Sequence, residues 1–388
     1  MQEFQIVWPE AKIADVKRRL AAASLPPVPG GDAWSAGSDV AFMERLRAYW
    51  LEEFDWQAAL DNLNRFPQFT ATVDGQLIHF VHVRSESRTP RPLLLTHGWP
   101  GSIFEFWDMI EPLAFPSRFG GDPDSGFDVV VPSLPGFGYS GKPASPLGPR
   151  AIARLWDRLM TEVLGYDRYL AQGGDWGGAV TSQLGVNHAD HVAGIHVNMV
   201  GILSAAGPQN PAEEEWMARW QEASARYSGY HAVQMTKPLS LAWLAEGNPL
   251  GQAAWIIERF HDWADLRFGD LEKTFGLDRL LTNILLYVMP ESFASSMWIY
   301  AGFARDEPLM LAEGERCQVP TGFLACPGDA LNPMAPKSRI ELCYNLMHWT
   351  ELKRGGHFPA MEDPQGVTAD VRLWADKLWA PAGSVGTP

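Results

Sequence analysis

Gly173-Gly174-Asp175-Trp176-Gly177-Gly178 fits the G-x-S-x-G nucleophile elbow, except that a carboxylate stands where the serine belongs. A serine hydroxyl needs a neighbouring base before it can attack, whereas an aspartate with an ordinary pKa of about 3.9 is already anionic at neutral pH. The exchange points to alkyl transfer rather than peptide or ester cleavage. Residues 168–172 read as a strand and 178–186 as the helix after it, and the flanking glycines allow a sharp turn with close strand-helix packing.

Working outward, strand-like runs at 92–96, 127–132, 168–172, 192–198 and 321–326 alternate with helical stretches, which predicts a mostly parallel α/β sheet. Upstream, residues 9–22 and 39–64 have helical apolar spacing. Phe69–Val83, with Asp74-Gly75 between two β-rich runs, reads as a hairpin. The predicted organisation is an N-terminal helical segment and hairpin wrapping the core (1–88), a first part of the core (89–200), a helical lid (201–314) and a second part of the core (315–388). In an open α/β sheet ligands bind at the carboxyl ends of the strands, so an insertion leaving one of those ends would sit above the site.

Composition narrows the function classes. The chain has 388 residues, 46% hydrophobic and 20% charged, as expected of a globular enzyme. A net charge of −15 spread along the chain disfavours nucleic-acid binding. No apolar run approaches the roughly 18 to 20 residues of a membrane span, and the start of the chain lacks a signal-peptide pattern, so a soluble cytoplasmic protein without a membrane anchor is expected. Three cysteines without C-x-x-C spacing suggest reduced thiols.

An elbow nucleophile needs an acid and then a histidine later in the chain. Pro327-Gly328-Asp329 follows a strand, and Gly355-Gly356-His357-Phe358 follows the strand-like run at 348–352. Asp329 would fix the tautomer of His357, which would act as base. Taken singly, Asp329 could be a turn carboxylate and His357 a capping residue; chain order and strand-end placement favour the triad. His97-Gly98-Trp99-Pro100 stands where elbow hydrolases supply an oxyanion hole, whose donors here would be the Trp99 and Trp176 amides. His97 is read as organising that loop, and Trp99-Pro100 as a candidate cis peptide. His188, His191 and His196 resemble ligand spacing, but no carboxylate is matched to a metal geometry; His79 and His82 belong to the hairpin, and no metal is expected.

These motifs resemble the epoxide hydrolases of the α/β-hydrolase superfamily, in the microsomal-type branch with a helical N-terminal segment. The resemblance spans nearly the whole chain, through Arg65–Thr70, Asp74–Phe80, His97–Gly101, Pro132–Gly138, Gly165–Gly177, Gly194–Asn198, Gln234–Pro238, Trp255–Phe260 and Gly355–Phe358. It implies an α/β-hydrolase fold, with Asp175 as nucleophile, Asp329 as charge-relay acid and His357 as water-activating base. It also implies two lid tyrosines on the epoxide oxygen, Tyr230 and Tyr300, since a phenol with pKa near 10 can stabilise an alkoxide without being ionised at rest. Two features depart from the pattern. The acid is often glutamate in this branch, and Ala301-Gly302 after Tyr300 lacks the usual aromatic or charged residue, which leaves Tyr287 as the alternative second donor.

The expected reaction converts a small apolar epoxide to a vicinal diol without metal or organic cofactor, and a homodimer is the assembly allowed for. Seventeen tryptophans favour a bulky, apolar or aromatic substrate. A haloalkane dehalogenase shares the aspartate elbow but needs N–H donors rather than acidic ones for its leaving halide. A catalytically silent ligand-binding hydrolase fold would have lost a catalytic residue, and a serine esterase lacks its nucleophile here.

Overall fold

A computed structural model describes residues 1–28, 30–305 and 309–379. The strands are β1 (Gln2–Phe4), β2 (Gln68–Val73), β3 (Gln76–Val83), β4 (Arg91–Thr96), β5 (Phe127–Pro132), β6 (Tyr169–Gly173), β7 (Val192–Val197), β8 (Leu203–Ser204), β9 (Met310–Leu311), β10 (Cys317–Ala325) and β11 (Tyr344–Glu351). Nine of them form one sheet in the order β1-β2-β3-β5-β4-β6-β7-β10-β11, while β8 and β9 pair separately. The β1 to β3 pairings and the β3–β5 pairing are antiparallel, and all others in the sheet are parallel.

Every residue of β4, β5, β6 and β7 is buried, which is why these strands read as continuous apolar runs rather than alternating ones. Helices cover both faces. The strand residue Gly194 faces Trp374 and Leu378 of the helix Pro364–Leu378, whereas its neighbour Ile195 faces Gly185 of the helix Asp175–Asn187. Because successive strand residues point to opposite sides, the two helices must flank the sheet from opposite faces.

The hairpin forms with Asp74 and Gly75 at φ 48° and 79°, as its two-residue turn requires. Its strands extend the core sheet at the antiparallel end. The N-terminal helices Glu10–Ala22, Val40–Glu52 and Trp56–Leu63 occupy the regions expected of them. The first two also pack on the insertion helix Pro249–Trp263. Between β7 and β10 the chain is almost entirely helical. All three cysteines are free and buried, and no helix among the described residues is long and apolar enough to cross a membrane.

Candidate active site

At the carboxyl end of β6 the chain turns directly into the helix Asp175–Asn187, with Asp175 at φ 49°. That left-handed conformation is costly for a residue with a Cβ and persists only where the surroundings enforce it. They do so through close approach. A Cβ on Gly177 would strike the Thr96 carbonyl at the end of β4, and one on Gly98 would strike the Asp175 carboxylate. The loop after β4 is thereby laid over the carboxylate, and the Trp99 amide donates to Asp175 Oδ1 at 2.7 Å. The Trp176 amide lies in the first helical turn, where backbone donors have no intrahelical acceptor. The peptide Trp99-Pro100 is cis.

His357 meets the other carboxylate oxygen, Oδ2 of Asp175, at 3.2 Å through Nε2, while its Nδ1 lies 3.0 Å from Asp329 Oδ2. Asp329 also behaves as a turn carboxylate, since its Oδ1 accepts from the amides of Leu331 and Asn332 at 3.0 and 2.9 Å. One side chain thus makes both the turn contacts and the contact with His357. Burial alone disfavours the His357 imidazolium, but the Asp329 charge and the contacts with Asp175 outweigh it and hold its pKa well above the usual histidine range. The Asp175 side chain is 16% exposed, so the cluster retains access to solvent.

Above the carboxylate is an aromatic wall. The Tyr230 ring stacks on Trp99 at 5.3 Å, Tyr300 meets Trp176 edge-on at 4.7 Å, and the two phenols lie 5.9 Å apart between centroids. Burial, reinforced by the Asp175 charge, raises both phenol pKa values, which keeps them protonated. The buried Tyr300 hydroxyl makes no well-formed hydrogen bond among the described residues. Tyr287 is placed differently. Its hydroxyl donates to the Gly101 carbonyl and is therefore committed to the loop.

The other histidines singled out in the sequence are held by the scaffold. His97 bonds the Gly98 carbonyl through Nδ1 at 2.9 Å and accepts from the Leu134 amide through Nε2 at 3.2 Å, and burial pushes its pKa down to about 4. It organises the loop as a neutral imidazole. His188 and His191 pair with Asp157, and His196 with Asp370. His79 lies between Ser133 and Gln68, and His82 against Tyr166.

Residues 1–106 match the family model described as epoxide hydrolase N terminus, and residues 91–245 match the alpha/beta hydrolase fold. A Stigmatella aurantiaca relative, named only provisionally as an epoxide hydrolase, is 39% identical over 95% of this chain and 83% of its own length. Epoxide hydrolase 1 of Oryctolagus cuniculus is 32% identical, over 96% of this chain and 88% of the relative. The chain belongs to the microsomal-type epoxide hydrolases. Among solved structures, the Aspergillus niger epoxide hydrolase superposes with a TM-score of 0.84 at 29% identity, covering 97% of this chain and 96% of that one. The protein is thus a hydrolase acting on epoxides, with an α/β-hydrolase fold.

Two buried carboxyls in this epoxide hydrolase escaped the sequence reading. Glu362 accepts from the amides of Asp265, Gly356 and Phe358 at 2.8 to 2.9 Å, so it ties the His357 loop to the insertion. Burial pushes its pKa up to about 7 despite those donors. Glu105, three residues after Ser102, has the spacing of a capping box, and Ser102 does accept from the Phe104 amide. Its carboxyl instead fills the space beside Gly101 where a side chain would project. Burial first, then the Asp175 charge acting against the nearby His357, raises its pKa to about 8. Asn283 completes this support by donating to the Pro100 carbonyl at 2.9 Å and accepting from Ser102 Oγ at 2.7 Å.

Proposed function

We propose that this epoxide hydrolase opens its substrate through a covalent hydroxyalkyl ester on Asp175 and then hydrolyses that ester with water activated by His357. The observation that carries the reading is the double engagement of one carboxylate: Oδ1 on the Trp99 amide and Oδ2 on His357, which is itself backed by Asp329. Oδ2 attacks one ring carbon, the carbon–oxygen bond breaks, and Tyr230 and Tyr300 stabilise the leaving oxygen, one of them donating its proton. The product of this step is a neutral ester carrying a hydroxyl, together with a phenolate.

Charge bookkeeping then explains how His357 becomes a base. With Asp175 esterified, one of the two carboxylates that hold the imidazolium is gone, and its pKa falls. Its proton restores the phenol. Neutral His357, oriented by Asp329, next takes a proton from water that attacks the carbonyl carbon of Asp175, and the Trp99 and Trp176 amides receive the oxyanion. Each such donor is worth about 3 to 4 kcal/mol in a comparable site. Collapse releases the diol and regenerates the carboxylate. The helices between β7 and β10 act as the lid that presents the phenols, and the substrate is a small apolar epoxide.

Single turnover in heavy-oxygen water tests the ester. Label should be found in Asp175 after the first turnover and reach the diol only in later ones, whereas immediate label in the diol would mean direct attack by water. In intact-protein mass spectrometry, His357→Gln should accumulate an adduct of substrate mass, and Asp175→Asn should form none.

A further inference from the structure

Next to Tyr230 in the helix Gly229–Thr236 stands His231, whose imidazole takes no part in the reaction described above. Its ring lies 5.3 Å from Tyr300, edge-on, and 6.5 Å from Trp176, nearly parallel at 13°. Tyr230 is 6.0 Å away. It thus shares the aromatic wall with both phenols and with the residue that follows Asp175. Unlike Tyr230 and Tyr300, which are buried, His231 is only half-buried. Neither of its ring nitrogens has a hydrogen-bond partner among the described residues, in contrast to His97, which is fixed at both nitrogens.

We infer that His231 is a specificity-determining residue that hydrogen-bonds an oxygen substituent on the carbon next to the oxirane ring, so that glycidyl ethers and 2,3-epoxy alcohols are preferred over alkyl epoxides of the same shape. The assignment rests on the epoxide-opening reading of the same site. Burial lowers the His231 pKa, while the Asp175 charge raises it less. A neutral imidazole offers one donor and one acceptor, and an ether oxygen uses the donor. Every other ring on this wall that contacts His231 belongs to a phenol assigned to the oxirane oxygen or to an indole.

The test compares glycidyl methyl ether with 1,2-epoxypentane, which differ by one oxygen in place of one methylene. In the parent protein the ether should have the higher kcat/KM. His231→Phe keeps a ring and removes both nitrogens, so it should cut the ether-to-alkyl ratio by about three- to tenfold, the worth of one hydrogen bond, and leave 1,2-epoxypentane within twofold. His231→Gln, which keeps a donor, should retain most of the ratio. An unchanged ratio in His231→Phe, or an equal loss on both substrates, would overturn the assignment. If the Phe variant does not fold, a ratio near one in the parent, or a lost ratio in His231→Gln, overturns it instead. Failure of the parent to turn over either epoxide would be a failure of the epoxide-opening reading itself, and the two failures are therefore distinct.

Discussion

Glu105 sits close enough to Asp175 and His357 to feel both charges, yet burial dominates and keeps its carboxyl protonated near neutral pH. With a pKa of about 8 when folded and 4.5 as its ordinary value, it binds more proton in the folded state throughout that interval. Stability should consequently fall as pH rises from 4.5 towards 8, and the loss should level off above 8. Glu105→Gln has nearly the same shape and cannot ionise. In melting experiments the variant should gain on the parent progressively across that window, while parallel pH profiles would place the effect elsewhere. The phenols allow a second prediction at this scale. Tyr230→Phe and Tyr300→Phe should each slow ester formation by about 10² to 10⁴, because each removes an interaction made mainly at the transition state. Tyr287→Phe should act less on that step, because its hydroxyl is bound to the Gly101 carbonyl. A rapid-quench series with a haloalkane alongside checks both points; full epoxide opening in Tyr300→Phe would remove it from the reaction.

The turn between β6 and the helix Asp175–Asn187 works as one element with the loop after β4, because each uses a glycine at which the other has no room to retreat. Gly177→Ala places a methyl against the Thr96 carbonyl, a backbone atom, and overpacking of this kind costs typically 1 to 3 kcal/mol. The denaturation midpoint should drop accordingly, with activity falling alongside it. Gly207→Ala meets nothing within 4 Å and should do neither. This element was legible in the sequence since its chemistry is local: the glycine spacing, the buried apolar strands and the Asp74-Gly75 turn each report on neighbours in the chain. So was the convergence of Asp175, Asp329 and His357, whose order and strand-end positions follow from the topology. The support beneath them was not. Glu105 has only the spacing of a helix cap, Glu362 carries no pattern, and the different placement of Tyr287 and Tyr300 depends on which face of the insertion meets the Gly98–Ser102 loop. Those contacts join residues up to 186 positions apart, beyond the reach of local spacing.

Across the whole molecule, the N-terminal segment touches the insertion, which in turn touches the His357 loop. Trp34 stacks on His261 at 4.0 Å, Ser38 Oγ donates to the Ala254 carbonyl at 2.6 Å, and the Tyr49 hydroxyl donates to Asp278 at 2.7 Å. The hydrogen bond to Asp278, ahead of burial, pushes the Tyr49 pKa up to about 12, so the hydroxyl keeps its proton over the working range. The helix Pro249–Trp263 receives the first two contacts and ends at Trp263, whose carbonyl accepts the His357 amide at 3.0 Å. Just beyond it, Asp265 accepts the Gly355 amide at 3.0 Å. The N-terminal contacts, the helix and the histidine loop therefore form one continuous chain of contacts. Elements joined in this way tend to open as a cooperative unit rather than singly. Trp34→Ala removes a stacked pair worth about 0.5 to 1.5 kcal/mol beyond its buried area. Hydrogen exchange should then speed up together in the helix Pro249–Trp263 and in the Gly355–Phe358 loop, and the hydrolytic half-reaction should slow more than ester formation, because in the proposed reaction His357 acts only after the ester has formed. Faster exchange confined to the surroundings of residue 34, with the histidine loop as protected as before, would show that the two regions are merely adjacent.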